Sequence, residues 1–274
     1  MYINQTAGYW GQATSTIDWC EENYATTKYV SEFWNSFTNM FFFYFAYHGI
    51  KNSLKMGLEI RYVFCYLGMV LVGLGSFMFH MTLKYSWQLA DELPMIYCTA
   101  VVLYCSYNAS NLGKPSTIVP ILLFVYSVLV TVTYVYLNIP AFHQVSYALL
   151  NFAILYYAYN DQQEIIRRKS RFQSDFNILL INTTFGFIIS FFLWNVDNIY
   201  CDNLRAMRKV VPPFVAPLLQ LHGYWHIGTA FACYNGILHQ QLLRIACLGR
   251  ERDIEIAYFN YVIPYIKFRK APKL

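Results

Sequence analysis

The sequence predicts an all-α membrane protein in which seven transmembrane helices form a bundle, and its composition leads to this prediction. Charged residues make up only 13% of the 274 residues, roughly half the share found in soluble domains. Hydrophobic residues account for 57% and aromatic residues for 19%. So little charge cannot coat a soluble protein of this size, and we expect lipid to cover most of the apolar surface.

Seven apolar segments follow a polar, acidic and aromatic N-terminal stretch. They lie at roughly 34–50, 62–80, 93–107, 117–137, 142–159, 177–195 and 214–239. Each approaches the ~20 residues that cross a bilayer, and interfacial Trp, Tyr and Phe extend the shorter ones. These boundaries divide the chain into an N-terminal segment (1–33), a helical domain (34–240) and a basic C-terminal tail (241–274).

The distribution of lysine and arginine predicts the orientation of the bundle. With seven spans the connections alternate between two sides, and fifteen of the 20 basic residues fall on one side. The other side has Lys28, Lys84, Arg205, Arg208 and Lys209. The positive-inside rule then places the C-terminus in the cytosol and the N-terminus in the lumen. The net charge of +5 therefore reflects orientation and does not indicate binding of nucleic acid.

Five polar side chains lie at the predicted lumenal ends of these segments. Ser76 and His80 are four residues apart, so a helix places them on one face, one turn apart. Asp91 precedes the third segment, and His222 and His226 open the seventh at the same spacing. Polar and ionisable groups are costly in a membrane and are usually functional there.

Three imidazoles and a water are a common ligand set of catalytic zinc. We therefore expect His80, His222 and His226 to bind zinc near the lumenal leaflet. Zinc lowers the pKa of its bound water to about 7, which suits hydrolysis.

The sequence HGYWH lacks the glutamate of HExxH metalloproteases, so the proton acceptor must come from another segment. Asp91 is the expected acceptor, with Glu92 as the other acid nearby. Ser76 is expected to donate a hydrogen bond to the oxyanion of an amide intermediate.

Each of these motifs also has a structural interpretation. Pairs of the form H-x-x-x-H and S-x-x-x-H also serve helix packing and capping, and the acidic pair 91–92 would complement the dipole at a helix start. Their joint placement at one depth favours the metal site. His48, His143 and His239 have no partner at ligand spacing and are assigned structural roles.

Six blocks of the sequence closely resemble the alkaline ceramidase family. They are TSTIDWCEENY (14–24), SEFWNSFTN (31–39), GSFMFHMTLKYSWQLADELPMIY (75–97), FHQVSYALL (142–150), FLWNVDNIYCDNLR (192–205) and QLHGYWHI (220–227). The blocks follow the family's order. The progestin and adipoQ receptors share the S-x-x-x-H, Asp and H-x-x-x-H pattern.

This resemblance implies a seven-helix enzyme of the endoplasmic reticulum and Golgi membranes. Its substrate would be ceramide, whose amide is hydrolysed to a sphingoid base and a fatty acid. The family's zinc ligands fall on His80, His222 and His226, its serine on Ser76 and its aspartate on Asp91.

The resemblance also implies a calcium site in the N-terminal segment. Its ligands would be Asp18, the carbonyl group of Trp19, Glu21, Asn23 and Glu32. Hard oxygen ligands of this kind suit calcium, although the segment has no EF-hand loop.

Cys20 and Cys201 both fall on the predicted lumenal side. An oxidising lumen permits disulfides, and we hypothesise a bond between these two residues. It would tie the N-terminal segment to the loop between the sixth and seventh spans.

Two other functions are considered. A receptor of the progestin and adipoQ type, with structural zinc, would have a cytosolic N-terminus, opposite to the charge distribution here. A transporter or channel would have charges along its spans, and these spans are nearly free of charge apart from the lumenal cluster and Asp197.

Asp197 either supports the metal site or holds the loop. Neither nucleic acid nor an obligate protein partner is expected to bind the chain.

Overall fold

The structure is a computed structural model that describes residues 8–112, 115–260 and 262–269. Its helices are α1 (Phe33–Thr38), α2 (Met40–Lys55), α3 (Ile60–Thr82), α4 (Tyr85–Ala109), α5 (Ile118–Leu137), α6 (Pro140–Arg167), α7 (Gln173–Ile199), α8 (Cys201–Val210) and α9 (Leu221–Cys247), and its strands are β1 (Ile254–Phe259) and β2 (Ile263–Phe268). Lys114, Lys270 and Lys273, which belong to the predicted cytosolic charges, lie outside the described residues, as does the start of the N-terminal segment.

The longer helices follow the predicted apolar segments. α2 to α7 and α9 each overlap one of the seven. Four of them, α3, α4, α5 and α7, are long and apolar enough to cross a membrane. The chain is thus a mostly helical protein of the membrane type.

α9 is the central helix of the bundle and has several buried polar side chains. It packs against α2, α3, α4, α6 and α7, so its polar side chains face protein instead of lipid. Gln240 donates a hydrogen bond to Ser106 Oγ at 2.5 Å, and Gln241 donates to Ser53 Oγ at 2.6 Å. These bonds join α9 to neighbouring helices, as buried polar groups require.

A tight turn joins α3 to α4. α3 ends at Thr82, and Leu83 adopts the left-handed conformation with φ of 51°, which reverses the chain so that α4 begins at Tyr85. The two helices therefore run side by side. Asp91, expected to precede a helix, lies inside α4, which begins about two turns earlier than the predicted segment.

The C-terminal tail forms an antiparallel hairpin of β1 and β2, which the helical prediction did not include. Ile256 pairs with Ile266, and Ile254, Ile263 and Ile266 are buried in the same core as α2 and α9. The side chain of Asn52 accepts a hydrogen bond from Ile266 N at 3.1 Å and donates one to its carbonyl at 2.5 Å. The tail is therefore packed onto the end of the bundle.

Candidate active site and metal centre

Three histidines from two helices converge in the bundle. His80 lies in the last turn of α3, and His222 and His226 lie in the first two turns of α9. Their ligand nitrogens all lie within 4.8 Å of one another, and each residue is at most 3% exposed. The structure brings these predicted residues together.

Two of the imidazoles are oriented by bonds to their Nδ1 atoms. His80 Nδ1 lies 2.5 Å from Glu32 Oε2. His226 Nδ1 lies 2.9 Å from Thr38 Oγ1, and this hydroxyl donates to the Trp34 carbonyl, so it accepts from the ring. A ring whose Nδ1 donates a hydrogen bond to an oxygen atom in this way has Nε2 free for a metal, which is the arrangement of metal-binding histidine.

The third imidazole supplies a separate test of the metal site. His222 Nδ1 is buried and has no hydrogen-bond partner among the described residues. An unsatisfied buried nitrogen is unfavourable by about 1–3 kcal/mol, and a metal ion would satisfy it. The buried three-histidine set fits zinc, which prefers nitrogen ligands and an open fourth position.

Ser76 and Asp91 are joined at the contact between α3 and α4. The Ser76 hydroxyl is close enough to act on the Asp91 carboxyl, and Ser76 lies one turn from His80 on α3. Gly75 permits this approach, since a Cβ atom there would lie 1.9 Å from the carbonyl oxygen of Ala90.

Glu92, the second acid of the sequence prediction, faces different partners. The Tyr134 hydroxyl donates to Glu92 Oε2, and Gln88 Nε2 donates to the same oxygen at 3.2 Å. Glu92 therefore joins α4 to α5, which leaves Asp91 as the acid beside Ser76.

Asp197 caps α9. Its Oδ1 accepts a hydrogen bond from Leu221 N at 3.2 Å, at the first turn of the helix. The backbone N–H of His222 is also close enough to act on this carboxylate. Asp197 thus acts on the start of the histidine-bearing helix, a role that the sequence left open.

The acidic N-terminal segment packs directly against the histidine cluster. Both carboxylate oxygens of Glu21 accept backbone N–H groups at the start of α1, from Trp34 and Asn35, each at 2.8 Å. Glu32 Oε1 accepts from Trp19 N at 3.3 Å. Because Glu32 also contacts His80, the segment is part of the site's surroundings.

The remaining predicted calcium ligands lie in the same segment. Asn23 Nδ2 donates to Asp18 Oδ1 at 3.1 Å. The Trp19 carbonyl accepts a hydrogen bond from Arg205 Nη2 at 3.3 Å, so this predicted ligand has a protein donor beside it.

Burial of this acidic cluster shifts its titration. Desolvation, reinforced by the charge of Glu32, raises the pKa of Glu21 to about 8. Desolvation is also the main cause that raises the pKa values of Asp18 and Glu32. A bound cation would favour the charged forms, and the carboxylate, amide and carbonyl oxygens fit the preferences of calcium.

The structure pairs Cys20 with Cys201 at the start of α8. Their sulfur atoms lie 2.34 Å apart and their Cα atoms 5.3 Å apart. The pair connects the acidic segment to the region between α7 and α9.

The other histidines lie apart from the cluster. His143 Nε2 contacts the carbonyl oxygen of Glu92 at 2.7 Å. His48 packs against Tyr44 and Phe259, and His239 stacks edge-on against a phenylalanine of α7.

Three contacts to this site were missed in the sequence. The bond from Glu32 to His80 was missed because Glu32 was assigned to calcium alone. Thr38 lies in the block 31–39, but no spacing rule links it to His226. Arg208 was counted only as a lumenal charge.

The helical fold and the buried histidine cluster define a class of protein, namely helical membrane proteins with a candidate metal site inside the bundle. Comparison with known proteins is more specific. The Ceramidase family model matches residues 11–267. The chain therefore belongs to the ceramidase family.

Individual relatives agree with this assignment. The chain is 41% identical over 256 residues to alkaline ceramidase 3 of Mus musculus, covering 92% of each chain. It is 32% identical over 277 residues to alkaline ceramidase YPC1 of Saccharomyces cerevisiae, covering 94% of this chain and 85% of the relative. An alkaline ceramidase of Arabidopsis thaliana is 25% identical over 273 residues, 96% of each chain. These matches do not favour the receptor alternative.

Proposed function

We propose that this protein is an alkaline ceramidase that uses zinc to hydrolyse the N-acyl amide of ceramide to a sphingoid base and a fatty acid. One observation supports the proposal above all others. A buried three-histidine cluster lies one helical turn from a serine that faces an aspartate of the next helix, in a member of the ceramidase family.

The roles of the side chains follow from their positions. His80, His222 and His226 would hold zinc, which supplies a Lewis acid and a water of lowered pKa. The Asp91 carboxylate accepts the proton of the attacking water and returns it to the amide nitrogen as the C–N bond breaks. The Ser76 hydroxyl interacts with this carboxylate in the free protein. When substrate is bound, the hydroxyl donates its hydrogen bond to the oxyanion instead.

The membrane arrangement is part of the same proposal. The seven long helices span the membrane of the endoplasmic reticulum or Golgi, with the N-terminus in the lumen and the C-terminus in the cytosol. The charge distribution supports this orientation. The overlap of the helices with the apolar segments supports the number of spans. A glycosylation acceptor fused to the N-terminus is expected to be modified, and an unmodified acceptor would contradict the orientation.

A calcium ion and a disulfide complete the proposal on the lumenal side. Calcium would be held by Asp18, the Trp19 carbonyl, Glu21, Asn23 and Glu32. Its binding would stabilise the segment that orients His80. The carboxyl groups of Glu21 and Glu32 are both buried and act on each other, which supports a cation in this segment because buried like charges need a counter-ion.

Substitutions in the purified protein test the chemistry. We expect Asp91→Ala to reduce fatty-acid release from ceramide by about 10²–10⁴-fold, the range for loss of a general acid–base group. His222→Ala should reduce it at least as much, because it removes a ligand of the zinc that activates the water. His222→Ala is also expected to lose bound zinc, whereas Asp91→Ala retains it.

His48→Ala is the matched control, because this histidine lies outside the cluster, and it should leave both zinc content and rate unchanged. Full activity in a folded His222→Ala protein would refute the proposed role of the cluster.

A further inference from the structure

α8 has an arginine, Arg208, that is only 8% exposed. A buried guanidinium is unfavourable unless its N–H groups and its charge are satisfied. The partners of Arg208 therefore show what its burial achieves.

Three nitrogen atoms of Arg208 bond to two different parts of the chain. Nη2 donates to the Cys20 carbonyl at 2.7 Å, and Nε lies 3.1 Å from Glu22 Oε2. Nη1 donates to the Leu219 carbonyl at 3.1 Å. One side chain thus joins the acidic N-terminal segment to the residues just before α9.

The position of Leu219 connects these bonds to the histidine cluster. It lies two residues before α9, and His222 is the second residue of that helix. Asp197 bonds to the same first turn, and the charge of Arg208 acts on Asp197. The entry into α9 is therefore held by an aspartate on one side and an arginine on the other.

We propose that Arg208 is a positioning residue that fixes the start of α9 against the N-terminal segment and so sets the placement of His222 and His226. This inference rests on the proposed zinc site. It differs from the contact between Glu32 and His80, because that contact orients the histidine of α3, whereas Arg208 acts on α9.

Arg205 provides a matched control from the same helix. Its guanidinium bonds to the carbonyl groups of Trp19, Cys20 and Glu21, so its hydrogen-bond partners among the described residues all lie in the N-terminal segment. Arg205→Met removes a comparable cation and comparable N-terminal bonds while the bond to Leu219 remains.

The test measures zinc binding to the full chain in detergent, by competition with a chelator. We expect Arg208→Met to weaken zinc binding by about 10–100-fold, the usual effect of losing an outer contact to a metal site. Arg205→Met should bind zinc as the wild type does. Cobalt in place of zinc should show an altered d–d spectrum in Arg208→Met and an unaltered one in Arg205→Met.

Thermal unfolding separates positioning from general stability. If Arg208 only stabilises the fold, Arg208→Met lowers the unfolding temperature by the same amount with and without zinc. If Arg208 positions the histidines, the variant also reduces the rise in unfolding temperature that zinc binding produces. If Arg208→Met does not fold, Arg208→Lys serves instead, since an ammonium cannot reproduce the planar fork, and it should weaken zinc binding severalfold.

Wild-type zinc affinity in the folded Arg208 variants, or an equal loss in Arg205→Met, would overturn the inference while the zinc site stands. If His222→Ala binds zinc as tightly as the wild type, the proposed zinc site itself fails. The two failures are therefore distinguishable.

Discussion

Three carboxylates near the histidines differ in their partners, and these partners determine what each can do. The Asp91 carboxyl faces the Ser76 hydroxyl, Glu92 bonds to Tyr134 of α5, and Glu32 bonds to a histidine ring. Asp91 is thus the carboxylate beside a serine near the cluster, while Glu92 joins helices and Glu32 orients an imidazole.

The raised pKa of the single residue Glu21 predicts that calcium binding depends on pH. Its pKa in the folded protein is about 8 and its ordinary value is 4.5. Calcium requires the charged form, so we expect calcium affinity to rise with pH through this range and to level off above about 8. Calcium titrations of purified protein between pH 6 and 9 measure this.

The raised pKa of Glu21 also determines how the stability of the calcium-free protein changes with pH. Between pH 4.5 and 8 the folded chain binds more protons at Glu21 than the unfolded chain, so stability falls as pH rises through that range. Glu21→Gln should flatten both dependences, and Glu255→Gln is the control, because the side chain of Glu255 is exposed on β1, away from the acidic segment. A slope unchanged in Glu21→Gln would contradict the assignment.

At the scale of helices, the contact between α3 and α4 depends on one glycine. A Cβ at position 75 would lie within 3 Å of backbone atoms of Ala90 and Asp91, and backbone cannot turn aside as a side chain can. We expect Gly75→Ala to separate Ser76 from Asp91, to lower stability by about 1–3 kcal/mol or more, and to reduce ceramide hydrolysis strongly.

Gly236→Ala is the control for this prediction. Its added Cβ would meet a threonine side chain at 3.3 Å, a contact that a small shift relieves. Unfolding temperature and fatty-acid release of both variants should be compared, and normal activity in Gly75→Ala would show that the close approach is not required.

At the scale of the whole molecule, the Cys20–Cys201 pair closes most of the chain into one loop, with a sequence separation of 181 residues. Bonds closing long loops typically stabilise by about 2–5 kcal/mol. We expect Cys20→Ser to lower the temperature of irreversible unfolding, and a reductant to lower it in wild type but not in that variant.

Cys98→Ser, which changes a free cysteine, should behave as wild type in the same assay. A wild-type unfolding temperature that does not respond to reductant would show that the bond does not stabilise the protein.

Much of this architecture was predictable because membrane segments have strong local signals. Apolar length located the helices, and i, i+4 spacing located His222 and His226 on one face. The hairpin of β1 and β2 was missed because its burial depends on Asn52, about 200 residues earlier in the chain. The role of Arg208 was missed for the same reason, since its partners come from distant segments.

The bonds between the first and last parts of the chain also impose an order on biosynthesis. Cys20 is made well before Cys201 and Arg208, and at about 5–20 residues per second the ribosome needs about 10–40 s to reach them. During that interval the acidic segment has neither its disulfide partner nor its arginine. The histidine cluster is completed later still, when α9, the last helix of the bundle, packs against α3.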